Sequence, residues 1–179
     1  MTRILALSGS LRALSSNTSV LRVAARVAPR DIDVQLHPGL DVLPFFNPDL
    51  DRDLDDPALP ATVRSLRQDI ANADAILISS PEYAHGVSGL MKNALDWLVG
   101  GTEMVGRAVA VINTSPHAFL AYDALLETLR TMSAELVDGA CLAIDVPRNQ
   151  SLDALATNPT VTTPLREALR AIRASAIRP

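Results

Sequence analysis

Short apolar runs alternating with amphipathic helical patterns predict an α/β domain, a parallel sheet with right-handed crossovers and helices on both faces. Three observations carry this expectation. Ala75-Ile76-Leu77-Ile78 and Ala108–Ile112 are apolar without alternation, the mark of strands buried on both faces. The first apolar run, Ile4–Leu7, is followed by Val20, Leu21, Val23, Ala24 and Val27 on one helical face, and later runs repeat the pattern. Aromatic residues make up only 3% of a chain rich in Ala, Leu and Val, which suits close packing of helices on a sheet.

In chain order, Ile4–Leu7 is the first strand and a helix follows over about residues 16–28. Alternating Ile32, Val34 and Leu36 give a shorter second strand. From His37 to Pro60 the chain is irregular, with prolines at 38, 44, 48 and 57 and an acidic run within Asp49–Asp56. A connection this long is expected to be functional or an interaction surface. Its patch Leu43-Pro44-Phe45-Phe46 would cover a pocket or pack on a second subunit, and its acidic run reads as a solvated face. Val63, Leu66 and Ile70 mark a second helix, residues 75–78 a third strand and Ser88–Leu98 a third helix. The fourth strand is Ala108–Ile112, and the fourth helix carries Ala121, Leu125, Leu129 and Met132. Glu135–Val137 with Ala140–Ile144 forms a fifth strand region, and Leu165, Leu169, Ile172 and Ala176 make a closing helix. Pro147–Thr163 reads as polar and irregular, without an assigned function.

A length of 179 residues is read as one domain spanning 1–179, large enough to bury roughly 70% of its unfolded surface without staples. The single cysteine, Cys141, sits in the apolar run 140–144 and is expected to be a buried structural thiol. A net charge of −4 argues against nonspecific nucleic-acid binding. His37, His85 and His117 are far apart and lack Cys or Glu at ligand spacing, so no metal site is expected. No secretory leader or membrane-length apolar run is read, and the expected location is the cytoplasm.

The most informative stretch is Ser8-Gly9-Ser10-Leu11-Arg12-Ala13-Leu14-Ser15-Ser16-Asn17-Thr18, between the first strand and helix. The first turn of a helix leaves backbone N–H groups unpaired, and the helix dipole favours an anion there. Ser10, Ser15, Ser16 and Thr18 can add hydroxyl donors and Arg12 a charge-assisted pair. These features make a phosphate cradle; the same residues also suit an ordinary capped strand–helix loop. The lysine of a triphosphatase P-loop and the G-x-G-x-x-G of a dinucleotide fold are both absent.

Doubly wound sheets bind ligands outside the carboxyl ends of their strands, so loops 9–17, 79–89 and 113–119 should converge. In the second loop, Pro81 and Tyr83 offer apolar walls for a flat ring, while Gly86 and Gly89 permit close approach. Asn113-Thr114-Ser115 supplies small donors in the third.

Gly9-Ser10-Leu11-Arg12 with Ser15 and Asn17 resembles the G-S-x-R-x-x-S-x-N loop of the NADPH-dependent FMN reductase family, which includes chromate- and quinone-reducing flavoproteins. Pro81-Glu82-Tyr83 with Lys92-Asn93-Ala94-Leu95-Asp96-Trp97 is similar to its second motif. The resemblance implies a flavodoxin-like three-layer sandwich with a five-stranded parallel sheet of order 2-1-3-4-5. It implies FMN held at its phosphate by Ser10, Arg12, Ser15, Ser16, Asn17 and Thr18. Pro81, Glu82, Tyr83 and Ala84 would lie along the isoalloxazine and Ser115 at its edge. Two positions depart from the pattern, Ala84 where Asn is usual and Ser88 where proline is common.

The implied activity is transfer of hydride from NADPH or NADH, a transient donor, through bound FMN to a small acceptor: a quinone, flavin, azo compound or metal oxyanion. A homodimer or homotetramer is the implied assembly, with neither nucleic acid nor membrane as partner. The alternatives are a non-enzymatic flavodoxin-like electron carrier and, last, a serine hydrolase, which lacks its G-x-S-x-G elbow here. No catalytic side chain is assigned. His85 is the tempting acid–base group but equally a solvent-facing loop residue, and Glu82 can orient a neighbouring loop as well as touch a ligand. Lys92 and Asp96 read as an i,i+4 surface pair and Trp97 as a core or interface anchor.

Overall fold

The computed structural model describes residues 1–147 and 149–176. Four long parallel strands form the body of the sheet: β1 (Thr2–Ser8), β2 (Ile32–Leu36), β3 (Ala75–Ser79) and β6 (Ala108–Asn113). A two-stranded hairpin, β4 (Glu82–Tyr83) and β5 (Gly86–Val87), stands apart from it. The far edge is two short pieces, β7 (Glu135–Leu136) and β8 (Leu142–Ala143), each pairing parallel with β6. The order β2-β1-β3-β6-β7 is flavodoxin-like. The fifth strand of the expected order 2-1-3-4-5 is thus split, giving six strands. Gly139 at φ +75° lies in the break between the pieces.

Register explains why β3 and β6 are apolar throughout. Ala6, Leu77 and Ala110 share one row across the sheet, while Leu5, Ile76 and Val109 share the next. Successive side chains point to opposite faces. The first row packs in the core under α1 (Ser16–Val27), α5 (Leu152–Thr157) and α6 (Pro159–Ala176). The second packs under α2 (Ala61–Ala71), α3 (Gly89–Val99) and α4 (Leu120–Thr131).

The segment 147–163 is not irregular throughout, because α5 and the start of α6 lie within it. Ser151 caps α5 through Ala154 N–H at 3.2 Å, and the Asn158 side chain accepts from Thr160 N–H at 3.0 Å. Leu155, Val161 and Thr162 are buried there, so tertiary packing overrides the weak local helix signal of Thr, Asn and Pro.

The excursion over 37–60 contains only a short 3-10 turn, Pro48–Leu50, and is held by side chains from the helices. Asn93 donates to Pro44 O at 3.0 Å and accepts from Phe46 N–H at 2.8 Å. Trp97, fully buried, donates its indole N–H to Pro44 O at 2.8 Å and meets the Phe46 ring edge-on at 5.1 Å. Arg67 is buried and donates to Trp97 O, to Arg52 O and to Asp51 Oδ1 at 2.6 Å. The acidic run is therefore solvated only in part. Phe45, 92% exposed, projects outward from this pinned backbone.

Candidate functional site

The chain crosses from one side of β1 to the other between β2 and β3, and the loops after β1, β3 and β6 line one cleft there. Its volume is about 550 Å³, within the range of small-molecule and cofactor sites, roughly 300–1,000 Å³. Ser10, Arg12, Ser15, Ser16 and Asn17 form one end, Pro81, Glu82 and Tyr83 a side, and Ser115 the facing loop. Two of the residues named from sequence lie elsewhere. Thr18 turns its hydroxyl inward to Ser8 Oγ at 2.8 Å, and Ala84 sits at the tip of the β4–β5 hairpin.

The loop after β1 keeps donors unspent. Ser15 is the N-cap of α1 and accepts from Thr18 N–H at 3.3 Å, and its own hydroxyl hydrogen has no acceptor among the described residues. The N–H groups of Ser16 and Asn17, in the first turn, have no partner within the helix. Asn17 is only 7% exposed. Its side-chain amide meets Ser79 Oγ at 2.8 Å and Thr114 Oγ1 at 3.3 Å, and Ser79 Oγ lies equally 2.8 Å from Ile112 O. The other end of the amide faces the cleft wall without a partner among the described residues. Arg12 is exposed at the rim and makes no ion pair among the described residues. Serine hydroxyls, open helical N–H groups and a guanidinium at one end of a ring-sized cleft fit the phosphate of a mononucleotide.

The hairpin supplies the side wall. Ala84 (φ 50°) and His85 (φ 64°) are both left-handed, as a two-residue type I′ turn demands. Glu82 uses both carboxylate oxygens: Oε2 accepts Ala121 N–H at the N-terminus of α4 at 2.8 Å, and Oε1 pairs with His85 Nδ1 at 3.1 Å. The Ala121 bond, helped by His85, lowers the Glu82 pKa below its ordinary 4.5. Glu82 thus clamps the hairpin to α4. His85 is largely exposed and does not line the cleft.

Sequence reasoning missed the fourth wall. Asp145, Val146, Pro147 and Asn149 line the cleft because Ile144 N–H bonds Asn113 O at 2.8 Å, continuing the parallel edge past the end of β6. The strand-end rule, applied to the weak fifth strand, flags this segment. Ser80 and Thr114 also line the site.

Outside the cleft, Lys92 pairs with Asp96 along α3. Cys141 is half-buried rather than sealed, its thiol facing Val109 O at 3.8 Å, and burial raises its pKa. Burial also pushes Tyr122 up to about 12. Among the described residues, no cluster of three His, Cys, Asp or Glu is placed to hold a metal ion, and no helix is long and apolar enough to cross a membrane.

The sheet order and the cleft define a flavodoxin-like α/β protein. The sequence matches the NADPH-dependent FMN reductase family over residues 2–148, and the chain belongs to that family. It is 36% identical over 96 residues to a quinone reductase of Escherichia coli K12, covering 54% of this chain and 50% of that protein. It is 36% identical over 121 residues to a 2-hydroxy-1,4-benzoquinone reductase of a Burkholderia species, covering 65% and 62%. The matches thus span about half to two-thirds of these relatives' length. The solved structure of the flavoenzyme NAD(P)H:(acceptor) oxidoreductase FerB of Paracoccus denitrificans superposes with a TM-score of 0.82 at 27% identity, over 98% of this chain and 97% of that one.

Proposed function

We propose that this chain binds FMN in the cleft between the β1, β3 and β6 loops and acts as an NAD(P)H-dependent oxidoreductase that reduces small quinones. The observation that carries the reading is the open first turn of α1, set at one end of the cleft beside Ser10, Ser15 and Arg12. Bound FMN supplies the redox chemistry, taking hydride from NAD(P)H and passing two electrons to the acceptor. The chain binds and orients. Ser10, Ser15, Ser16, Asn17 and Arg12 hold the phosphate, and Pro81, Glu82 and Tyr83 wall the ring opposite Ser115. Thr18 and Ala84 support this frame from behind Ser8 and from the hairpin tip. The family and the names of its relatives support quinones as acceptors.

The working form in this reading is a homodimer, acting as a single domain in the cytoplasm. Phe45, exposed on a pinned backbone, is its contact with the second copy. Phe45→Asp then elutes as a monomer in size-exclusion chromatography; an unchanged elution volume removes this segment from the interface.

The functional test is an anaerobic titration of purified protein with FMN, then NADPH, then 1,4-benzoquinone. Bound flavin that bleaches with NADPH and regains colour with quinone supports the reading. Bound flavin that stays oxidised with NADPH and NADH points to an electron carrier. Absence of flavin binding overturns both.

A further inference from the structure

The peptide joining Gly9 to Ser10 opens the phosphate end of the cleft, and it is held by a residue outside that loop. We propose that Ser88, the N-cap of α3, is a positioning residue that sets this peptide and through it the phosphate-facing donors; this rests on the FMN reading. Ser88 is 2% exposed. Its hydroxyl donates to Gly9 O at 2.8 Å. A serine has one hydroxyl hydrogen, so its lone pairs receive the other two neighbours: Met91 N–H at 3.2 Å and the Ser80 hydroxyl at 3.1 Å.

Gly9 is therefore tied at both ends, because its N–H bonds Ser79 O at 2.8 Å. A trans peptide points its carbonyl and the next N–H in opposite directions. With Gly9 O fixed on Ser88, Ser10 N–H points toward Ser8 Oγ, 3.4 Å away, which bonds Thr18 on α1. Only glycine permits the approach: a Cβ at Gly9 would stand 2.8 Å from Ser80 Cβ and 3.0 Å from Ser88 Oγ. The freedom that allows this packing also lets the peptide rotate once its carbonyl loses its partner. Ser88 supplies that partner and caps α3 with the same oxygen, so the phosphate loop and the first turn of α3 share one anchor.

The test compares FMN with riboflavin, which lacks the phosphate, by fluorescence titration of the wild type, Ser88→Gly and Ser88→Thr. Glycine is nearly as good an N-cap as serine, so α3 persists while the bond to Gly9 O is lost. Ser88→Gly is expected to bind FMN roughly tenfold more weakly with riboflavin unchanged within about twofold. Ser88→Thr, which keeps the hydroxyl, restores the wild-type ratio. Equal weakening of both ligands marks a merely structural residue and overturns the proposal, as does unchanged FMN affinity in Ser88→Gly. A wild-type protein that binds neither flavin overturns the underlying FMN reading instead.

Discussion

Asn17→Asp tests the phosphate site with the smallest change of shape. The carboxylate keeps the outline of the amide and can accept from Thr114 Oγ1 beneath the loop. It removes the N–H donors of the amide and adds a negative charge in the cleft wall. Loss of a hydrogen bond to a charged group is worth about 1.5–3 kcal/mol. Two unit charges ~4 Å apart at an effective dielectric of ~20 repel by about 4 kcal/mol before screening by salt. Even the lower hydrogen-bond figure with half of that repulsion exceeds about 3 kcal/mol, more than roughly 100-fold in Kd. Asn17→Ala removes the donor without adding charge and should weaken FMN about 10- to 100-fold. Fluorescence titration should rank FMN affinity as wild type, then Ala, then Asp, with riboflavin nearly constant. An Asp variant within about threefold of wild type for FMN would refute the placement of the phosphate against Asn17.

Arg67→Met leaves Trp97 O, Arg52 O and the Asp51 carboxylate without their shared donor; breaking a buried pair costs about 3–5 kcal/mol, so the Tm should fall by roughly 10 °C. In the hairpin, Ala84→Gly relieves a left-handed residue at about 1–2 kcal/mol against about 0.4–1 kcal/mol of added unfolded-state entropy, so a small rise in Tm is expected. Ala84→Val should lower it, and a Val variant as stable as Gly would count against the left-handed turn. Burial lowers the pKa of His37 below 6.5 despite the Asp69 carboxylate 3.7 Å away. As pH falls below 6.5, the unfolded chain therefore takes up a proton that the folded ring refuses. Stability present above that value is lost until the folded ring protonates, and urea midpoints of His37→Gln should lack this slope.

Much of the fold was legible because its determinants are local. Ala75–Ile78 declares a two-sided strand by apolarity alone, and Ser15 and Ser88 stand where helix caps belong. The β4–β5 hairpin was not legible, since Ala84-His85 carries none of the Asn-Gly chemistry that announces a type I′ turn. Its conformation is imposed from outside, by Glu82 on α4 and Ser88 on Gly9. Helix α5 and the start of α6 were missed because Asn158, Pro159 and Pro164 read as breakers, whereas buried Leu155 and Val161 decide the outcome. The cleft itself was half legible. Ser10 to Asn17 announce a helix N-terminus, but the inward turn of Thr18 and the approach of Asp145 to Asn149 depend on contacts distant in sequence.

The second motif is itself divided between ligand and scaffold, since Pro81, Glu82 and Tyr83 line the cleft. Ser10, Arg12, Ser15 and Asn17 from the first face the cleft, whereas Asn93 and Trp97 from the second face away from it and grip Pro44 and Phe46. Arg67 grips Arg52 and Asp51 from the same helical layer. Three buried or half-buried side chains therefore fix an excursion that has almost no secondary structure of its own. Ordering a loop on association consumes free energy that a preordered loop has already lost during folding. Phe45 is the most exposed of the large apolar residues left outside that clamp, with Val42 and Leu50 beside it in sequence, and aromatic anchors on rigid backbone dominate the energetics of interfaces. The conformational cost of presenting Phe45 is thus met within the fold, so the proposed dimer would have mainly its apolar surface to bury.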